Sequence, residues 1–246
     1  MMRTANPTLN DQVFANAPAA VGGQVMTLQG AVNKTFILAL LLVISGGFSW
    51  QFVQANPQLS GMLSIGSALF GFVLVMASSF KPTWSPVVAP AYGLVEGVFV
   101  GVISARYSAL YDGIVLQAAL LTLGILFALL FAYQSRLIKA TENFKLGLVA
   151  ATGGIAIVYL ASIVLSFFGI QIPLIHQSGL VGIGFSLVVV VIAALNLVLD
   201  FDFIENGVAQ GAPKYMEWQS ALGLLVTIVW LYIEMLRLLS KLRSRD

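Results

Sequence analysis

Apolar residues run along this chain in seven long blocks separated by short polar breaks, at residues 35–52, 59–80, 86–104, 113–133, 146–170, 179–199 and 218–239. A helix needs about 20 apolar residues to cross the roughly 30 Å of hydrocarbon in a bilayer, so each block predicts a membrane-spanning helix. Breaks fall at Asn56-Pro57 and Lys81-Pro82, where proline disfavours helix in the residue before it, and again at Gly207, Gly211 and Pro213. The blocks show no internal repeat, which leaves an inverted-repeat transporter unsupported. Residues 1–33 hold Pro7, Pro18, Gly22 and Gly23 and no apolar run, which does not fit a cleaved signal peptide. The first helix is then expected to act as the insertion signal. The architecture expected is an all-α integral membrane protein: a polar segment over 1–33, then a seven-helix domain over 34–246.

Composition sharpens this. The chain is 59% apolar and 9% charged, with a mean hydropathy of +0.95. Soluble domains carry about 25% charged residues, and a soluble core could not hide this much apolar surface behind so few charges. A net charge of +2, scattered along the sequence, excludes a nucleic-acid surface. The absence of cysteine excludes disulfides, thiolate metal sites and cysteine nucleophiles.

Charge also gives an orientation. Seven crossings put the N-terminus and the second, fourth and sixth loops on one side, with Arg3, Lys34, Lys81, Arg136, Lys139, Lys145 and Lys214, against Arg106 alone in the opposite loops. Positive-inside asymmetry predicts a cytoplasmic N-terminus. The C-terminal cations Arg237, Lys241, Arg243 and Arg245 run against that rule. Either the tail violates it or one block is re-entrant; seven full crossings are the expectation.

A charge at the bilayer centre costs about 2.5–3.5 kcal/mol on insertion scales, so ionisable residues inside the blocks are the candidates for chemistry. Glu96 falls mid-block within Gly93, Gly97 and Gly101, glycines four apart that let a neighbouring helix approach closely. It reads equally as an ion-path carboxylate or as a protonated group fixing a tight helix contact. Asp200, Asp202 and Glu205 cluster where the sixth block ends, and Glu205-Asn206-Gly207 is the expected helix stop. Asp202 and Glu205 read as a solvated acidic end, while Asp200 lies closer to the membrane. Glu234 and Arg237, spaced i, i+3, predict a local ion pair with Arg237 snorkelling to the interface. His176 reads as a loop residue, and Trp50, Trp84 and Trp218 as interfacial aromatics. No His-Glu-x-x-His, Gly-x-Ser-x-Gly or Walker motif is present, so neither catalysis nor a cofactor or metal site is indicated.

Several of these segments resemble one family. The run Ala89-Pro-Ala-Tyr-Gly-Leu-Val-Glu96-Gly97-Val-Phe-Val-Gly101-Val-Ile-Ser104 is similar to the third helix of the Bax inhibitor family. Val198-Leu199-Asp200-Phe-Asp-Phe-Ile204 resembles its sixth-helix ending, and Ala221 through Leu239 its seventh helix, with Lys34-Thr35 fitting before the first. The likeness covers most of the chain after about residue 30 and is similar to the bacterial branch named YccA/Bax inhibitor. It implies seven helices with the last one central, and a pH-sensitive calcium leak channel of the bacterial inner membrane, gated by an aspartate pair on helices six and seven. Asp200 matches the first aspartate, whereas Thr227 stands at the second and Gly223 at an earlier acidic position. The family's second-helix arginine has no match, and Lys81 is the nearest cation.

These departures shift the expected titrating role to Asp200 and Glu96. Glu96 lies ten residues beyond Pro86 and Thr227 nine beyond Trp218, which gives them similar depth at 1.5 Å per residue. Thr227 could bond a carboxylate but cannot titrate. The competing expectation is an interaction protein: the resemblance also implies modulation or degradation by the AAA protease FtsH, with the polar N-terminal segment as its handle. A membrane hydrolase has no motif behind it.

Overall fold

The structure, a computed structural model, describes residues 25–169 and 179–244. Residues 1–24, most of the polar segment and including Arg3, lie outside the described residues, as do His176 and Arg245. Among the described residues every long element is a helix: α1 (Leu28–Ala55), α2 (Ser60–Phe80), α3 (Ser85–Leu110), α4 (Ile114–Gln134), α5 (Glu142–Phe167), α6 (Leu180–Ala209) and α7 (Met216–Arg243). All seven are long and apolar enough to cross a membrane. The shortest, of 21 residues, reaches about 31 Å at 1.5 Å per residue.

Local chemistry marks the ends. The Thr27 hydroxyl accepts from the Gly30 amide to cap α1, and Thr141 does the same for Phe144 at α5. Pro57 and Pro82 each open a single 3-10 turn leading into the next helix, where their missing N–H costs nothing. Gly113 enters α4 at φ +71, and Gly211 leaves α6 at φ +65, a backbone region that side chains disfavour.

The helices fall into two groups. α1 and α3 form the most extensive pairing in the molecule, with α2 laid against α3; α4 and α5 each pack on α6. α7 touches α1 and α3 in the first group and α4 and α6 in the second. It is the most buried helix, followed by α3 and α6, while α1, α2, α4 and α5 turn most of their surface outward. That outward surface is large and apolar, with Phe48, Ile65, Phe72, Phe127 and Ile157 among the exposed side chains, as a lipid-facing wall requires.

Two sequence expectations need correction. α6 does not stop at Glu205-Asn206-Gly207 but runs on to Ala209. Nor is Asp202 a solvated end, since it is largely covered, whereas Glu205 is exposed as expected but ion-paired. Lys145 on α5 bonds Asp202 at 2.8 Å, Arg136 bonds Glu205 at 3.0 Å, and Tyr133 also donates to Glu205. Paired charges from α4, its following turn and α5 let the helix continue past the apolar block. The expected ion pair of Glu234 and Arg237 forms, and the Tyr159 hydroxyl joins it.

The C-terminal cations also find partners within the fold. Lys241, 5% exposed, bonds the Gly182 carbonyl at 3.0 Å and the Ser186 hydroxyl at 2.9 Å, and Arg243 bonds the Asp112 carbonyl and Gln117. Cations spent on internal acceptors interact little with the bilayer surface, which explains how a basic tail can share an end of the bundle with Arg106.

Candidate functional site

The interior of α7 carries a polar line. Ser220, Thr227, Glu234 and Lys241 recur every seven residues, and all four are buried, at 0%, 3%, 1% and 5% exposure. A seven-residue step is almost two full turns, so the four side chains share one face along nearly the whole helix. Apolar neighbours such as Leu222, Leu231 and Leu236 fill other buried positions of α7, alongside the buried polar Glu217 and Gln219.

The register against α6 follows from the Lys241 bonds. The two helices are antiparallel and joined by a short turn, and Lys241 meets Ser186. Counting back at equal rise from Ser186 brings Glu234 within about a turn of Ala193, Thr227 within about a turn of Asp200, and Ser220 within about a turn of Gly207. Asp200 is 1% exposed. Asp200 therefore lies near the depth of the α7 position that holds threonine, between the Glu234–Ala193 and Ser220–Gly207 layers. The hydroxyl of Ser220, one layer nearer the N-terminal end of the bundle, is buried with no hydrogen-bond partner in the protein.

Each end of the line is closed by opposite charge. At the far end, Arg237 bonds Glu234 at 2.9 Å while the Tyr159 hydroxyl of α5 lies 3.0 Å from both carboxylate oxygens. Arg237 also lies over the Tyr159 ring, 4.9 Å from its centroid. At the near end, Glu217 is fully buried and receives four donors: Lys34 Nζ, Lys214 Nζ at 2.7 Å, and both the amide and hydroxyl of Thr27 at 2.9 Å. Carboxylates thus stand at three levels, Glu217, Asp200 and Glu234, separated by about 15 and 10 Å along α7 at 1.5 Å per residue.

Sequence reasoning missed Glu217 and Lys241. Glu217 abuts the last apolar block, and its partners Thr27 and Lys34 lie 190 and 183 residues away, so nothing nearby announces the contact. The heptad spacing of Ser220, Thr227, Glu234 and Lys241 was a usable signal, because polar residues two turns apart in an apolar helix define a face.

Glu96 lies elsewhere. It is half-buried where α3 meets α2, beside Tyr92 of its own helix and close to Gly71 of α2. α3 and α6 make no extensive contact, so the structure does not bring Glu96 to Asp200 directly; each rests on a helix that packs against α7. Gly93, Gly97 and Gly101 face α1, where a Cβ on Gly97 would overlap the Leu42 backbone and Ser45, and one on Gly101 the Gly46 carbonyl and Ser49. Lys81 caps the end of α2, exposed and 4.6 Å from the Trp84 ring centroid. Its described contact is therefore interfacial rather than with Asp200.

The family model described as Bax inhibitor 1 like matches residues 6–244, almost the whole chain. The chain belongs to this family. No curated protein matches it. In this Bax inhibitor family membrane protein α6 carries the buried Asp200, α7 carries the buried Thr227, and charged groups close both ends of α7.

Proposed function

We propose that this Bax inhibitor family member is a pH-sensitive leak pathway for calcium and related cations in the bacterial inner membrane, with its N-terminus cytoplasmic, serving ion homeostasis. The observation that supports the reading is the burial of a polar line on α7 and of Asp200 on α6, the helix packed against it. Burying polar and charged groups in a membrane interior is costly, and such groups mark ion paths and proton relays more often than lipid-facing structure. A cation passing along this line would meet a carboxylate at each of three levels and hydroxyls between them. In the present conformation Lys34 and Lys214 neutralise the first carboxylate and Arg237 the last, so the path is closed.

Asp200 is the middle carboxylate in this reading, and its protonation would remove the negative charge that attracts the ion at mid-path. Glu96, at the α2–α3 seam, is a second titrating element acting through the packing of α3 on α7. Purified protein in liposomes loaded with a calcium-sensitive dye tests this. Wild type should conduct with a pH-dependent rate, and Asp200→Asn should lower the rate at least tenfold and flatten its pH response. Glu96→Gln should shift that response. Wild-type-like titration in both variants would remove the assignment, and absence of flux at every pH would remove the channel.

The second reading is an interaction protein that an FtsH-type protease modulates or degrades. Because Val25, Met26 and Thr27 are built into the bundle, a deletion isolating such a handle should stop at residue 24. Lost protease association with unchanged flux would assign the handle to residues 1–24.

A further inference from the structure

The chain entering α1 is fastened across the near end of the α6–α7 pair. Val25 forms an antiparallel bridge with Pro213 in the turn between the two helices, and the Met26 amide bonds the Ala212 carbonyl at 2.7 Å. Met26 is 1% exposed and packs in the same core as Ala212, Met216 and Ile204. Thr27 and Lys34 then reach Glu217, and Lys214 from the α6–α7 turn completes the set. Gly30 lies so close that a Cβ there would overlap the Glu217 carboxylate. The first turns of α1, the α6–α7 turn and the start of α7 therefore converge on one side chain.

A short bridge of this kind is weak alone, since one backbone bond nets only about 1 kcal/mol. Its hold comes from Glu217, a single carboxylate whose removal frees four donors at once. Beneath the strap lies the layer of Ser220 and Gly207, and beneath that Asp200 with Thr227. We propose that Val25–Lys34 is a latch over the near mouth of the α6–α7 path, held shut by Glu217, and that breaking this tie lifts the segment and opens the mouth. The gating half of this proposal rests on the ion-path reading; the lifting half does not.

The chain has no cysteine, so introduced pairs report cleanly. Met26 and Ala212 form the rung next to the Val25–Pro213 bridge and share a backbone hydrogen bond, a pairing whose Cα atoms stand about 5.5 Å apart, within disulfide reach. Three measurements on the full chain follow. In purified protein, maleimide labelling of Met26→Cys should be slow, and should rise at least tenfold when Glu217→Gln is added. Gly30→Ala should raise it likewise: it leaves every charge in place, wedges the strap from the carboxylate and favours helix, which guards against a merely misfolded Glu217→Gln.

In liposomes, Glu217→Gln should raise calcium flux at least fivefold. The Met26→Cys/Ala212→Cys disulfide should return that flux to the wild-type level, and reductant should restore it. A staple serving stability alone would not give redox-reversible flux. Unchanged labelling in both Glu217→Gln and Gly30→Ala overturns the latch. Raised labelling with flux indifferent to the disulfide overturns its gating role. If no variant conducts under any condition, the ion-path reading falls, and labelling alone then decides whether the segment lifts.

Discussion

Two helix seams in this protein are close in space and opposite in chemistry. Between α1 and α3, glycines meet backbone: Gly93, Gly97 and Gly101 lie against Leu38, Leu42, Gly46 and two serines, and Ser49 bonds the Val98 carbonyl across the joint at 3.2 Å. No charged side chain figures among these described contacts. Between α6 and α7, small residues instead alternate with polar and charged ones, from Ser186 with Lys241 through Asp200 and Thr227 to Ser220. In lipid there is little hydrophobic drive between helices, so association comes from close packing or from polar contacts. The first seam uses packing and leaves no room to change. The second keeps groups that could exchange partners, and it is the seam to which the proposed ion path is assigned.

The largest effect that could break this contrast lies in the glycine seam. Gly97→Val should abolish folded protein, read as loss of a monodisperse peak after detergent extraction, because its side chain would strike the Leu42 backbone rather than a flexible tip. Survival with normal thermal stability would show that the seam is loose.

Next comes the far closure of the polar seam. Glu234→Gln leaves Arg237 beside a neutral partner in a buried setting and should cost about 2–3 kcal/mol in unfolding free energy. Smaller still is Asn196→Ala, which loses the 2.9 Å bond to Thr152 between α6 and α5 and should cost about 0.6 kcal/mol, the average for an interhelical bond in lipid.

The smallest effect has a different sign. Ser220→Ala removes a buried hydroxyl with no protein partner and should leave thermal stability unchanged or slightly raised. A loss above about 1 kcal/mol would mean that the hydroxyl is satisfied, and the seam less permissive than its geometry indicates.

The contrast was only half legible in the sequence. Glycines four apart around Glu96 announce a close helix contact by spacing alone, and the seven apolar blocks give the helices, because both signals are local. Glu234 with Arg237 is local too, at i, i+3. Glu217 was not legible: its partners come from the other end of the chain, and a lone glutamate at the start of an apolar block resembles a solvated helix end. Lys241 reads as part of a basic tail until α6 supplies Ser186 and the Gly182 carbonyl. The extension of α6 through Asp202 and Glu205 depended on Lys145 and Arg136, which only the fold brings within reach. Charges that pair across long separations are therefore what the pattern of polar and apolar positions conceals.

If the α6–α7 seam admits water and ions and the α1–α3 seam does not, the two differ in their accessibility to a thiol reagent. Single cysteines at Thr227, Ser220 and Ser45 in the cysteine-free chain, exposed in liposomes to a small charged thiol reagent under conducting conditions, test it most directly. The account predicts modification at Thr227→Cys and Ser220→Cys, slowed by added calcium, and none at Ser45→Cys. Equal protection at all three positions, or faster reaction at Ser45→Cys, would contradict it.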